Sequence, residues 1–167
     1  MDIVSVGQAQ KLSSPNPFAV ITSKTQSGFT NAAAISWWTY VSNRPPMLSF
    51  AMSQKSFTSE CLAHNPAFTL NLVGEAVAEA AYACGTLSGR DCDKPKETGL
   101  PLIAMRDTHP EAVGGSKLVF ICHVVETHPA GDHNLFVAEI DEVFASPEVR
   151  LVLALDGYAR IGTAEYQ

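Results

Sequence analysis

Residues 30–60 read TNAAAISWWTYVSNRPPMLSFAMSQKSFTSE, and this stretch determines the fold of the chain more than any other. Its pattern predicts a strand, a tight connection at Arg44-Pro45-Pro46, a second strand and then the start of a helix. The predicted helix start is crowded with polar side chains, namely Ser53, Gln54, Lys55, Ser56, Thr58 and Ser59. Hydroxyls and one cation therefore lie where a strand is followed by a helix.

This helix start has the chemistry of an anion site. A helix N-terminus offers unpaired backbone N–H groups and the positive end of the helix dipole. A lysine and several hydroxyls beside it suit a phosphate monoester. Ordinary capping by serine and threonine needs no ligand, and on these residues alone capping is the simpler explanation.

The residues just upstream favour a flat ligand. Residues 31–38 read NAAAISWW, in which the small side chains are Ala32, Ala33, Ala34 and Ser36. Small side chains let a planar heteroaromatic ring approach backbone N–H groups closely. A tightly packed core strand explains the pattern as well, with Trp37 and Trp38 on opposite faces. Burial of both indoles would require cover on both faces, such as a partner subunit.

The pattern NAAxxSWWxxVSxxPPMLSF, followed by SxKSxT, resembles the flavin reductase-like, FMN-binding split-barrel family, and within it the flavoredoxin group. Four further blocks continue the resemblance in family order, over about residues 15 to 162. They are FTLNLV at 68–73, SGRDCDK at 88–94, GDHNLFVAE at 131–139 and YARIG at 158–162. No single block is specific, but their order along the chain is.

The resemblance implies a bound flavin, FMN or alternatively FAD, and assigns residues to it. The cofactor would be lined by Asn31, Ala32, Ala33, Ala34, Ser36 and Trp37. Residues 32–36 would contribute their backbone. Ser53, Lys55, Ser56 and Thr58 would hold the phosphate, and Gln54 is also assigned to the cofactor. Lys94 would reach the polar side of the cofactor, and His133 would point into the site as the catalytic proton donor. Tyr158 is also assigned to the cofactor, although the preceding LALDG departs from the family pattern.

Simpler explanations remain open for several of these residues. Lys55 and Lys94, taken singly, are most simply solvated surface lysines. His133 follows Asp132 in a predicted turn, where polar residues are expected in any case.

Three function classes follow from the resemblance. The first is an oxidoreductase that transfers electrons from NADH or NADPH to FMN. The second is a flavoredoxin-type electron carrier, with tightly bound FMN reduced by a partner protein. The third is a non-catalytic binding module. In all three the family implies a homodimer with the flavin near the interface, so that the partner covers the second tryptophan. The flavin would supply the redox chemistry, and the protein its binding and orientation.

Composition limits the alternatives. A length of 167 residues predicts one domain, residues 1–167, and the net charge of −6 argues against partners such as nucleic acid or an anionic membrane. No apolar segment approaches the roughly 20 residues needed to span a bilayer. The N-terminal residues MDIVSVGQAQK lack the pattern of a secretory signal, so we expect a cytoplasmic protein.

The cysteines agree with a reducing compartment. Cys61, Cys84, Cys92 and Cys122 show neither C-x-x-C nor metal-ligand spacing, so we predict no metal site and free thiols. Cys61 and Cys122 are expected in the core. A bridge between Cys84 and Cys92, which flank a loop, stays open.

Hydrophobic periodicity predicts a mainly β fold. Strands are expected over residues 18–23, 29–38, 47–52, 67–73, 117–128, 134–145 and 149–155. Helices are expected over 57–64 and 75–83, and residues 84–115 are predicted to form a long polar loop. Strands rich in valine, isoleucine and phenylalanine, with two short helices, predict a closed barrel. The resemblance implies the Greek-key split barrel.

Overall fold

A computed structural model of the chain describes residues 2–163. Its helices are α1 (Val6–Leu12), α2 (Phe57–His64), α3 (Ala78–Ala83) and α4 (Lys94–Thr98). Its strands are β1 (Asn16–Pro17), β2 (Ala19–Lys24), β3 (Thr30–Ile35), β4 (Trp38–Asn43), β5 (Pro46–Ser53), β6 (Ala67–Val73), β7 (Leu102–Ile103), β8 (Ala112–Val113), β9 (Ser116–Ala130), β10 (His133–Ala145), β11 (Val152–Leu155) and β12 (Arg160–Thr163). Short 3-10 helices span Glu75–Val77 and Asp156–Tyr158.

The main sheet has seven strands in the order β3-β2-β6-β9-β10-β5-β4, and each neighbouring pair is antiparallel. Ile35 on one edge strand and Trp38 on the other pack into the same apolar cluster. A flat sheet would hold its two edges apart, so the sheet must curl until both edges border one core. The predicted mainly β barrel is thereby confirmed, and β3 and β4 are the two edge strands of its sheet.

Aromatic side chains fill the centre of the barrel. Phe50 stacks on Phe136 with ring centroids 4.9 Å apart and meets Phe68 edge-on at 5.3 Å. Alternation along each strand sends these side chains inward and their neighbours outward. The barrel interior is therefore packed with side chains, and a ligand of any size must bind outside it.

A second apolar cluster covers the outer face of β2 and β3. Phe18, Val20 and Ala32 pack there against Ala81 of α3 and Val152 of β11. β11 lies in a small antiparallel sheet of order β1-β11-β12. This outer layer places the turn between β11 and β12 close to the end of β3.

Several predicted elements are confirmed. α2 and β6 have the predicted bounds, and the predicted helix over 75–83 is a 3-10 turn followed by α3. The long strands β9 and β10 form the expected hairpin around residues 131–132. The cysteines are free thiols, with Cys61 and Cys122 buried as expected and Cys84 buried as well.

Other predictions were wrong in part. The strand predicted over 29–38 ends at Ile35, and Trp38 begins a separate strand, because the chain bends at residues 36–37 to reach the far edge of the sheet. The loop predicted over 84–115 contains α4 and the β7–β8 hairpin. The strand predicted over 149–155 is shorter and is followed by β12, and α1 and β1 were not predicted.

Among residues 2–163, none of the helices combines the length and apolar character that crossing a bilayer requires.

Removal of the central aromatic ring should test this packing. Phe50 is 1% exposed, so we expect Phe50→Ala to lower the free energy of unfolding by about 3–5 kcal/mol. Phe29 is 68% exposed, and Phe29→Ala should change that free energy by less than about 0.5 kcal/mol. Urea unfolding followed by circular dichroism measures both, and equal losses would contradict the described core.

Candidate functional site

A cleft of about 290 Å³ opens beside the C-terminal ends of β3 and β5. The antiparallel register pairs His133 of β10 with Ser53 of β5, which brings the β9–β10 turn to this end of the barrel. Predicted site residues that line the cleft are Ala34, Ser36, Trp37, Ser53, His133 and Tyr158. Much of its wall is made of small side chains, as a flat ligand requires.

Trp37 and His133 face each other in the cleft. Their ring centroids are 5.1 Å apart with planes tilted by 41°. Trp37 lies between β3 and β4 and is 49% exposed, and its carbonyl accepts a hydrogen bond from the Ala51 N–H at 3.0 Å. An indole and an imidazole thus form one side of an apolar cleft that stays open to solvent.

The imidazole of His133 has a carboxylate partner. Its Nδ1 lies 2.7 Å from Oδ1 of Asp132, and this hydrogen bond holds the pKa of the Asp132 carboxyl below its usual range. Asp132 is itself exposed. Nδ1 is therefore engaged within the turn, and Nε2 is the ring nitrogen that remains for a ligand.

The polar residues at the start of α2 bond largely to one another. Ser56 Oγ accepts from the Ser59 N–H at 3.1 Å and caps the helix, while Thr58 Oγ1 accepts from Asn31 Nδ2 at 2.9 Å. Ser53 Oγ accepts from the Lys55 N–H at 3.3 Å. These hydroxyls fix the shape of the turn. Lys55 has an exposed side chain, so among these residues its ammonium is the group most available to a ligand.

Gln54 does not turn its amide towards the cleft. Its Nε2 donates to the carbonyls of Gly131 at 3.2 Å and His133 at 3.3 Å, in the β9–β10 turn. Gln54 is predicted to bind the cofactor, and the structure shows its side-chain amide bonded to the β9–β10 turn.

A second cavity, of about 400 Å³, lies on the other side of the α2 start. Asn31 and Lys94 line it, together with residues of the β2–β3 turn and of the segment 89–94. Asn31 is 4% exposed, and its Oδ1 is buried without a hydrogen-bond partner among residues 2–163. A Cβ on Gly89 would lie 2.3 Å from that oxygen, so only glycine fits there.

Lys94 is buried in the wall of this second cavity. It is 7% exposed, its Nζ donates to the Cys84 carbonyl at 2.9 Å, and burial lowers its pKa. None of the ion pairs between described residues includes it. The simpler explanation of Lys94 as a solvated lysine is wrong. A buried cation without a carboxylate is suited to an anionic ligand.

Arg90 is a candidate residue that the sequence analysis did not single out. Its guanidinium donates to the Lys55 carbonyl at 3.1 Å, pairs with Glu60 and lies 5.5 Å from the ring centroid of Phe57. It thereby fastens the 88–94 segment onto the start of α2. The only signal for it was its place in the SGRDCDK block, because its partners are distant in the sequence.

Tyr158 lies in a turn with an unusual backbone. Its φ is 103°, next to Gly157 at 68° and Asp156 at 55°, a conformation that side chains other than glycine rarely adopt. The ring stacks on Phe18 at 5.8 Å, and its hydroxyl is buried with no hydrogen-bond partner within residues 2–163. Burial raises the pKa of this hydroxyl. The strained turn places an unpaired donor beside the cleft.

The remaining predicted residues lie along β3. The Ala33 side chain packs inside the barrel and that of Ala32 in the outer cluster, so only their backbone runs between the two cavities. The cleft also contains Ala51, Met52 and Gly157, which sequence reasoning missed. Ala51 and Met52 come from β5, whose pairing beside Trp37 is a long-range contact.

Comparison with known proteins identifies relatives of this chain. The model of the family described as "Flavin reductase like domain" matches residues 12–162. The Escherichia coli K12 protein YddH is 31% identical over 101 residues, which cover 60% of this chain and 53% of that protein. The chain thus spans about half the length of this curated relative.

Solved structures share the fold. The NADH:FAD oxidoreductase SgcE6 of Streptomyces globisporus C-1027 superposes with a TM-score of 0.86 at 16% identity, covering 99% of each chain. The flavoredoxin of Desulfovibrio vulgaris (Miyazaki F) gives a TM-score of 0.85 at 18% identity, covering 99% of this chain and 95% of the other. Identities this low establish the fold alone.

The buried cation should leave a pH signature in the ligand-free protein. Burial puts the folded pKa of Lys94 below the ordinary lysine value of 10.5, so between these two values the unfolded chain binds more protons. Stability contributed at this position therefore rises with pH up to about 10.5. Over this range we expect the unfolding free energy of the parent protein to rise with pH relative to that of Lys94→Met.

Urea unfolding at several pH values measures that difference. The matched control is Lys96→Met, because Lys96 lies on the same helix with an exposed side chain. The difference in unfolding free energy between Lys96→Met and the parent should not change with pH. A constant difference for Lys94→Met as well would contradict the buried charge.

Proposed function

The chain belongs to the flavin reductase-like domain family, and from that premise we propose that it is an oxidoreductase that transfers hydride from NADH or NADPH to FMN. The observation that supports this most is the open cleft in which small side chains, the Trp37 indole and the His133 imidazole meet. A hydride donor must reach one face of a bound ring, and a cleft open on one side permits that approach.

The residues present fit a flavin nucleotide. Ala34, Ser36 and Ala51 leave room for a flat ring against the backbone. The unpaired oxygen of Asn31 suits an N–H or O–H donor of the ligand, and the buried cation of Lys94 suits an anionic group. Buried polar groups without partners are costly, so their presence here favours a ligand that completes them.

Each part of the site then has a role. Lys55 and the first N–H groups of α2 would hold the phosphate, with Ser53, Ser56 and Thr58 fixing the turn. Trp37 would cover the edge of the ring, and Tyr158 would offer its hydroxyl. FMN would supply the hydride acceptor when bound. His133 would hold a proton at Nε2 beside the cleft, where it compensates the negative charge that reduction adds.

Anaerobic absorbance titration tests this function. We expect the yellow band of the FMN-loaded protein to bleach on addition of NADH or NADPH, because the open cleft admits the nicotinamide. A band that persists with both nucleotides but bleaches with dithionite would contradict a reductase and indicate an electron carrier reduced by a partner protein. A protein that binds no flavin would be a binding module.

The phosphate seat has a separate test. We expect Lys55→Ala to weaken FMN binding by about 1.5–3 kcal/mol, the usual range for hydrogen bonds to charged groups. Riboflavin lacks the phosphate, so its affinity should hardly change. Fluorescence titration with FMN, FAD and riboflavin measures all three. Equal losses for FMN and riboflavin would remove Lys55 from the phosphate site.

We also propose that the protein is a homodimer, paired along β4. The expected cover of Trp38 by a partner is largely provided by its own chain, since Tyr40 and Phe120 lie 5.5 Å and 6.3 Å from it. Tyr40 and Val41 remain 55% and 50% exposed on this edge strand.

Light scattering should therefore give a dimer mass for the parent and a monomer mass for Val41→Lys, because burying a charge at a paired edge is costly. Ile103→Lys, at a site 46% exposed on the β7–β8 hairpin, is the control and should remain dimeric. A monomeric parent would contradict the proposal.

A further inference from the structure

Gln54 connects two segments that are distant in the sequence. It follows the last residue of β5, and its backbone N–H donates to the Asp132 carbonyl at 3.1 Å. Its side-chain Nε2 donates to the carbonyls on both sides, Gly131 at 3.2 Å and His133 at 3.3 Å. One residue between β5 and α2 thus binds three consecutive carbonyls of the β9–β10 turn.

That turn determines where the imidazole lies. Gly131 has a φ of 63°, and the strand begins again at His133. The ring of His133 is bounded by Asp132 at Nδ1 and by the Trp37 indole across the cleft. Asp132 is 93% exposed, so its hydrogen bond is weakened by solvent and does not by itself fix the ring. Gln54 is exposed as well, but its three hydrogen bonds act together with the pairing of His133 with Ser53 to fix the backbone from which the ring projects.

We propose that Gln54 is a positioning residue that holds His133 over the cleft, rather than a ligand of the flavin phosphate. This inference rests on the proposed function for its effect on hydride transfer. Because Gln54 lies between Ser53 and Lys55, the phosphate seat and the imidazole form one connected unit. Loss of the two Nε2 hydrogen bonds would loosen the turn and displace the ring, while the phosphate contacts stay in place.

Two variants separate positioning from binding. Gln54→Ala removes the side-chain donors, and Gln54→Glu keeps the size but points a carboxylate at two carbonyl oxygens. The matched control is Gln8→Glu, which makes the same charge change at an exposed position of α1, where the capping box with Ser5 also accepts a carboxylate. Each variant is measured for FMN affinity, for the anaerobic rate of flavin reduction and for tryptophan fluorescence.

The fluorescence readout needs no nicotinamide and no turnover. A protonated imidazole quenches an indole that it touches, so the Trp37–His133 contact should give a step in tryptophan emission between alkaline and acidic buffer. His133→Phe should abolish this step and thereby identify it. We expect the step to shrink in Gln54→Ala and further in Gln54→Glu, and to remain in Gln8→Glu.

Flavin reduction should slow on the order of tenfold in Gln54→Ala, since small misplacements of a reacting group have large effects on rate. FMN affinity should stay within about twofold of the parent, on the order of 0.4 kcal/mol or less. An unchanged fluorescence step in both variants, or a large loss of FMN affinity with the step intact, would overturn the proposal. If the parent is not reduced by NADH or NADPH, the proposed function fails, and the fluorescence comparison still decides the role of Gln54.

Discussion

Close packing of small side chains along β3 is the constraint on which the rest of the structure depends. The strand sends Ala33 and Ile35 into the barrel and Ala32 into the outer cluster, so both of its faces are buried. Larger side chains at these positions would push apart the aromatic core and the layer formed by α3 and β11. The same small residues leave the backbone accessible where the strand ends, and the cleft begins there at Ala34 and Ser36. The small residues of β3 therefore allow both the close packing of the barrel and the approach of a ligand to the backbone.

Several polar groups of the site lower the stability of the folded protein when no ligand is bound. A buried lysine with only a carbonyl partner, a buried amide oxygen with none and a tyrosine hydroxyl with none each cost free energy in the ligand-free protein. All three lie at the two cavities that the proposed flavin would occupy, where a ligand could supply the missing partners. Arg90 and Gln54 have the opposite character, because their hydrogen bonds are made within the protein and fasten separate segments to the start of α2.

Local patterns predicted the parts of this structure that local forces decide. The Ser56 cap and the Asn65-Pro66 stop bound α2, and clean alternation defined β6, so their limits agree with the sequence. The bend at residues 36–37 was missed because the chain crosses there between opposite edges of a sheet, which no propensity records. The site residues were proposed from family resemblance. The structure places some of them in the cleft and Asn31 and Lys94 in the cavity, whereas Lys55, Ser56 and Thr58 line neither. The roles of Gln54 and Arg90 could not be predicted, since their partners lie 77 and 35 residues away along the chain.

The central claim is that a flavin nucleotide binds along β3, from the cleft at Trp37 to the cavity at Lys94. Hydrogen–deuterium exchange with and without saturating FMN measures this directly, because ligand contacts slow local opening of the backbone. The account predicts slower exchange in residues 31–38, 53–60, 88–94 and 131–134, with the β7–β8 hairpin unchanged. Slower exchange confined to other parts of the molecule, or no change with bound FMN, would contradict it.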